Sequence, residues 1–256
     1  MIHQAKSYLQ YLVKSSNEHG VHSPFVFDLV TQCFYDLQRY PEYDILKNHR
    51  KALEADNSTI KMTDFGAGSR RFKSDNRKIS QIASTAGISS NRAKLLFRIV
   101  KYFQPEQVLE LGTSVGLATC ALALGNHNGK VVSVEGCPET ANVAKEYFNS
   151  CGISNVSQKV ADFDEFLNTV TGKFDLIYFD GNHQKDATLR YFEKLLPTAH
   201  NDSVWIFDDI HWSPGMEEAW DQIKKHPQVT VTIDTFQWGF VFFRREQVRE
   251  DFVIRV

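Results

Sequence analysis

Five residues along the middle of the chain have types and spacing that could do chemistry: Glu110, Gly112, Gly116, Glu135 and Asp162. In "VLELGTSVGLAT", residues 108–119, Gly112 and Gly116 bracket the turn Thr113, Ser114 and Val115. Without side chains, such positions let a backbone approach a ligand. A dinucleotide loop would read G-x-G-x-x-G. Here Ser114 stands where the middle glycine would be. Glu110 adds a carboxylate, which suits a cationic ligand better than a pyrophosphate. S-adenosylmethionine carries an ammonium and a sulfonium and no phosphate. Glu135 ends the next apolar run and is suited to accept from both hydroxyls of a ribose. Asp162 could accept from an adenine amino group, with Phe163 against the ring. Each residue alone has a plain alternative, such as a solvated strand edge or a helix cap. The ordered series is the stronger signal.

A second set lies further on. "LIYFDGNH" carries Asp180, and "VWIFDDIHW" carries Asp208 and Asp209. Carboxylates at neighbouring strand ends repel one another unless a proton or a cation relieves them. A hard divalent ion such as Mg²⁺ takes oxygen ligands of this kind. His183 and Lys185 follow Asp180 and are the candidate general bases. The plain alternatives are that Asp209 caps the segment after it, that Asp180 only sits beside the sulfonium as a cofactor contact, and that His183 is bonded to backbone.

A rival glycine run, "KMTDFGAGSRRF" at 61–72, has a poor strand before it and a polar, charged stretch after it. It therefore reads as a surface turn between helices. Residues 64–78 include Arg70, Arg71, Lys73, Arg77 and Lys78, and the expectation is a mobile gate or an anion-binding edge for an acceptor.

Strands must place the acidic series, and helices must follow them. From residue 106, short apolar runs alternate with helical stretches: "QVLEL", "KVVSVE", "NVSQKVA", "FDLIYFD" and "SVWIFDD". That alternation implies βαβ units and a parallel sheet. "VTVTIDT" and "WGFVFFRR" have no helix between them, which implies an antiparallel hairpin. Residues 1–104 read as helical, with Ser23-Pro24 and Pro41 opening two of the helices. The predicted fold is α/β, a doubly wound and mostly parallel seven-stranded sheet of Rossmann-like form. It has an antiparallel C-terminal hairpin and a helical N-terminal cap. The predicted division is 1–104 for the cap and 105–256 for the cofactor domain.

A chain of 256 residues with net charge −2 has no global pull toward nucleic acid. Its four cysteines form no C-x-x-C pair, so neither a zinc site nor a disulfide framework is expected. The N-terminus lacks a signal peptide's apolar core, and no stretch is long enough for a membrane span. A cytoplasmic protein that leaves membranes alone is the expectation.

On these motifs the chain resembles the class I S-adenosylmethionine-dependent methyltransferases. "LELGTSVG" is similar to their first motif, "VVSVEG" to their second, and the terminal hairpin to their antiparallel last strand. E-x-G-x-x-x-G resembles the catechol and caffeoyl-CoA O-methyltransferase group. "HGVHSPF" resembles the cap of a bacterial subgroup. The resemblance covers roughly residues 85–245. It implies that Asp180, Asp208 and Asp209 stand where the group has an Asp-Asp-Asn triad for Mg²⁺. It also implies methylation of a small hydroxylated acceptor. Lys185 lies two places beyond the lysine of the plant and animal enzymes. Members are often dimers, so a homodimer is an expectation. Two other readings stand beside it: an RNA or protein methyltransferase, and a non-catalytic cofactor-binding protein. No stacking-aromatic module supports the RNA reading, and the carboxylates speak against a mere scaffold.

Overall fold

The computed structural model describes residues 2–63 and 75–256. Two compact units are formed, one by Asp36–Phe166 and one by Met1–Tyr35 with Leu167–Val256. In chain order the helices are α1 (Ile2–Lys14), α2 (Pro24–Leu29, continued by a π-helical turn at Val30–Phe34), α3 (Glu42–Ala55), α4 (Ile79–Thr85) and α5 (Ser90–Phe103). They continue with α6 (Leu117–Gly125), α7 (Pro138–Ser150), α8 (Phe163–Leu167), α9 (Lys185–Leu195) and α10 (Pro214–Lys225). The strands are β1 (Thr59–Lys61), β2 (Asn76–Lys78), β3 (Gln107–Leu111), β4 (Lys130–Glu135) and β5 (Val156–Val160). After these come β6 (Leu176–Phe179), β7 (Val204–Asp208), β8 (Val231–Asp234), β9 (Trp238–Phe242) and β10 (Glu250–Val253).

Eight strands form one sheet, in the order β10-β8-β9-β7-β6-β3-β4-β5. β3 is parallel to β4 and β4 to β5, and β6 is parallel to β7. β9 runs antiparallel to both β7 and β8, which is the terminal hairpin the sequence predicts. The sheet has one strand more than the expected seven. The addition is β10, parallel to β8. Its sequence, EDFV, buries only Phe252, so it carries no apolar run to read.

Local chemistry explains the helices that hold this sheet. Ser23 accepts the N–H of Val26 and Pro24 opens α2, as expected from the pair. α5 turns Ala93, Leu96, Phe97 and Val100 to one buried face. Ser89 caps its start, and Gln104, at φ 50°, ends it in the left-handed region. Each large apolar side chain on that face contributes about 1.5–3 kcal/mol by leaving water. α6 is buried along its whole length, as its sequence LATCALALG requires.

The stretch around the rival glycine run differs in detail from expectation. Within the stretch 1–104 that reads as helical, Asn76–Lys78 instead pair antiparallel with Thr59–Lys61, and α4 begins at Ile79. Residues 64–74, which hold most of the proposed gate, lie outside the described residues. Arg77 belongs to β2, is buried, and directs Nη1 to the Met62 sulfur at 3.6 Å. Cys33, Cys120, Cys137 and Cys151 are free thiols. Among the described residues no helix is long and apolar enough to cross a membrane.

Candidate functional site

In the unit Asp36–Phe166, the loop between β3 and α6 is held by its backbone. Gly112, Ser114 and Gly116 have φ of 110°, 48° and 85°. The N–H groups of Gly112 and Thr113 both donate to the Val134 carbonyl, at 2.9 and 3.2 Å, and tie the loop to β4. A Cβ added at Gly116 would lie 2.6 Å from the Phe148 ring and 3.2 Å from Ala144. Only glycine fits there, both for its backbone angle and for the approach of α7. Ser114 accepts a left-handed conformation that costs about 1–2 kcal/mol. Its N–H donates to Glu135 Oε2 at 2.8 Å, which offsets that cost.

Glu135 is the hub of this cradle. Its other oxygen, Oε1, accepts the N–H of Cys137 at 3.0 Å. One carboxylate at the end of β4 thus fixes both the glycine loop and the entrance to α7. It is half-buried.

Glu110 corrects the sequence reading. It was expected to face a cationic ligand, yet it is completely buried. Its side chain lies among hydroxyls: Thr119 Oγ1 donates to Oε2 at 2.6 Å, and Ser133 Oγ donates to the same oxygen. Ser133 also bonds Thr113, at 2.5 Å. Burial pushes the Glu110 carboxyl up to about 7, against the hydrogen bonds of Ser133 and Thr119. The nearby charge of Glu135 raises it further. Glu110 therefore braces the loop from behind, through Ser133 and Thr113. Its position in the interior agrees with strand register, in which Glu110 pairs with Ser133 of β4, a strand flanked on both sides by β3 and β5.

Asp162 is half-buried, and its Oδ1 accepts the N–H groups of Asp164 and Glu165, at 2.8 and 3.2 Å. It caps α8, which was the plain alternative for this residue. Phe163, the first residue of that helix, is also half-buried.

The second set of candidates lies in the other unit. Asp180 follows β6, and Asp208 ends β7. Asp208 is buried; Tyr178 donates its hydroxyl to Oδ2 at 3.2 Å, and the N–H of Asp209 donates to Oδ1 at 2.8 Å. Asp209 stands at φ 54°, a conformation aspartate tolerates, and its carbonyl accepts the N–H of Trp212. It does not cap α10: Ser213 does, by accepting from Met216. Among the described residues no group of three or more His, Cys, Asp or Glu side chains is arranged to hold a metal ion. Asp180, Asp208 and Asp209 as placed therefore do not fit the predicted three-ligand ion site.

The two candidate bases separate by their partners. His183 Nε2 lies 3.9 Å from Asp180 Oδ1, and both side chains are partly exposed. Lys185 Nζ lies 2.6 Å from Glu218 Oε2, so α9 and α10 are joined through its ammonium. That hydrogen bond and the charge of Glu218 raise the Lys185 pKa, which works against a neutral amine.

The sequence reading missed His211. Its Nδ1 meets Glu217 at 2.7 Å, its Nε2 meets Asp234 at 2.8 Å, and its ring stacks 5.2 Å from Phe236. Burial pulls the imidazole's pKa down, but the bonds and charges of Asp234 and then Glu217 outweigh it, and the net shift is upward. His211 pins the loop after Asp208 and Asp209 to β8 and α10. Its partners sit on separate elements, so no local spacing announces them.

Residues 109–210 match the family model of a methyltransferase domain. A catechol O-methyltransferase of Mycobacterium tuberculosis is 27% identical over 156 residues, 60% of this chain and 68% of that protein. O-methyltransferase hkm8 of Aspergillus hancockii is 31% identical over 126 residues, 46% of this chain and 49% of its own length. The chain thus spans about two thirds of the first relative and about half of the second. Among solved structures, an S-adenosylhomocysteine-bound methyltransferase of Podospora anserina superimposes with a TM-score of 0.63 at 15% identity, covering 88% of this chain and 97% of that one. An O-methyltransferase of Bacillus cereus, also with S-adenosylhomocysteine, gives 0.55 at 18% identity and covers 82% and 93%. At such identities the likeness is one of fold.

Proposed function

We propose, for a chain that belongs to the class I S-adenosylmethionine-dependent methyltransferases, transfer of a methyl group to a hydroxyl oxygen of a small acceptor. The observation that carries this reading is the cradle of Gly112–Gly116 and Glu135. A backbone turn at which Gly116 has no room for a side chain, beside a carboxylate anchored at the end of β4, suits a nucleoside with a ribose diol. Glu135 would hold the ribose hydroxyls, and the loop backbone would pass close to the rest of the cofactor. Bound S-adenosylmethionine supplies a methyl group already activated on a sulfonium. Thr113 and Ser114 shape the seat, with Glu110 bracing it.

The protein's own share of the chemistry is positioning and proton transfer. His183 Nε2 is assigned the acceptor's hydroxyl proton. Asp180 Oδ1 lies 3.9 Å from that nitrogen, close enough to orient the ring. Lys185 is left to its ion pair with Glu218. Divalent-metal assistance rests on the sequence resemblance of Asp180, Asp208 and Asp209 to a metal triad, which their placement does not match.

The relative from Mycobacterium tuberculosis is named a catechol O-methyltransferase, so catechols are the first acceptors to try. Labelled methyl transfer from S-adenosylmethionine to a catechol panel tests the reading, with excess chelator as a second arm. Turnover is expected in chelator. His183→Ala should lower kcat by about 10²-fold or more, with S-adenosylhomocysteine affinity unchanged. No transfer to any hydroxylated acceptor, with the cofactor still bound, would overturn the acceptor assignment. Activity lost to chelator and restored by Mg²⁺ would reinstate the metal.

A further inference from the structure

A cleft of about 490 Å³ opens between α3, α5 and the first turn of α6, all within the unit Asp36–Phe166. That volume lies in the range that holds a small organic ligand. Its floor is apolar: Leu46, Ala93 and Leu117 line it and are all buried. Tyr43 lines it too, on the α3 side, braced by Phe97 with ring centroids 5.5 Å apart.

The lining charges are unequal. Arg39, Lys47, Arg50 and Lys94 bring four cations against one carboxylate, Asp44. Two of the cations are already engaged. Arg50 bonds Glu54 at 3.2 Å and the Ile88 carbonyl, tying α3 to the turn before α5. Arg39 meets Asp44 at 3.5 Å in an exposed pair of the kind that contributes little. Lys47 on α3 and Lys94 on α5 have no carboxylate partner among the described residues. Lys94 holds its ammonium 5.3 Å over the Tyr43 ring. An apolar floor, an aromatic wall and two ammonium groups on separate helices, neither with a carboxylate partner among the described residues, select for one chemistry.

We propose that this cleft is a ligand site for an amphipathic anion, a small flat apolar body bearing a carboxylate, sulfonate or phosphate. The site is distinct from the glycine-loop cradle, although Leu117 of its floor directly follows Gly116. The assignment does not depend on the methyl-transfer reading, because direct binding tests it.

The probe is 8-anilino-1-naphthalenesulfonate, titrated by fluorescence into the full chain at low salt. One saturable site is expected, unaffected by saturating S-adenosylhomocysteine. Its Kd should rise at least tenfold in the Lys47→Glu/Lys94→Glu double variant. Lys47→Ala/Lys94→Ala should weaken it in the same direction with a smaller fold-change, and circular dichroism and the melting curve control for folding. Competition by 1-naphthoate and by 1-naphthyl phosphate then distinguishes the head group, and the stronger competitor names it. An unchanged Kd in both folded double variants, displacement of the probe by S-adenosylhomocysteine, or competition by neither naphthyl anion would overturn the proposal.

Discussion

The two units solve the problem of positioning in different ways. In Asp36–Phe166, the loop 112–116 is held mainly by backbone: left-handed glycines, N–H groups on the Val134 carbonyl, and the N–H of Ser114 on Glu135. In Leu167–Val256, the strand ends are held by side chains. Tyr178 holds Asp208, Glu218 holds Lys185, and Glu217 with Asp234 holds His211. Backbone geometry depends on residues close in sequence, so it tolerates little change at those residues and much elsewhere. Side-chain networks draw partners from several elements, so the role of each member depends on residues far along the chain.

Three substitutions test this difference between the units. The largest effect is expected at Gly116→Ala, which forces a Cβ to 2.6 Å from Phe148 at φ 85°. It should cost about 2–4 kcal/mol of stability and more than tenfold in S-adenosylhomocysteine affinity, read by thermal melting and calorimetry. A variant that binds as tightly as wild type would remove the claim that the backbone is the seat.

Glu110→Gln comes next, because it asks whether the buried carboxyl is a brace. The folded-state pKa of Glu110 is raised from 4.5 to about 7. The stability it contributes is therefore fully present below pH 4.5 and is lost as pH rises through about 7. The glutamine cannot ionise, so it should escape that loss. Between pH 4.5 and 8 the variant should gain up to roughly 3 kcal/mol on wild type, measured by denaturant unfolding across pH. A difference that stays flat with pH would show that Glu110 titrates as an ordinary carboxylate.

The smallest effect is expected at Lys185→Met. If its ammonium serves only as the partner of Glu218, kcat should stay within twofold. A loss of kcat approaching that of His183→Ala would transfer the base to Lys185 and erase the contrast drawn between the two side chains.

These differences bear on what could be read in advance. Each strand from β3 to β9 and the antiparallel hairpin were legible, because buried runs and helical stretches alternate in the sequence itself. β10 was not, since EDFV is short, charged and made a strand only by the edge of β8. The glycine loop was legible for the same local reason: G-x-x-x-G between a strand and a helix leaves few other conformations. Glu110 was read as a carboxylate turned toward a cationic ligand, and its full burial was not legible, because a strand pattern does not say which neighbours cover a residue.

By itself, then, the sequence determined the α/β order, the loop at 112–116 and the carboxylates at or beside the ends of β3 to β7. These are short-range consequences of hydrophobic periodicity and glycine spacing. The tertiary structure alone decided which carboxylates stay available. It spent one oxygen of Asp162 on a helix cap, bonded Asp208 to Tyr178, sank Glu110 among hydroxyls and enlisted His211. Hydrogen-bond partners distant in sequence set those outcomes, and a linear pattern holds no record of them.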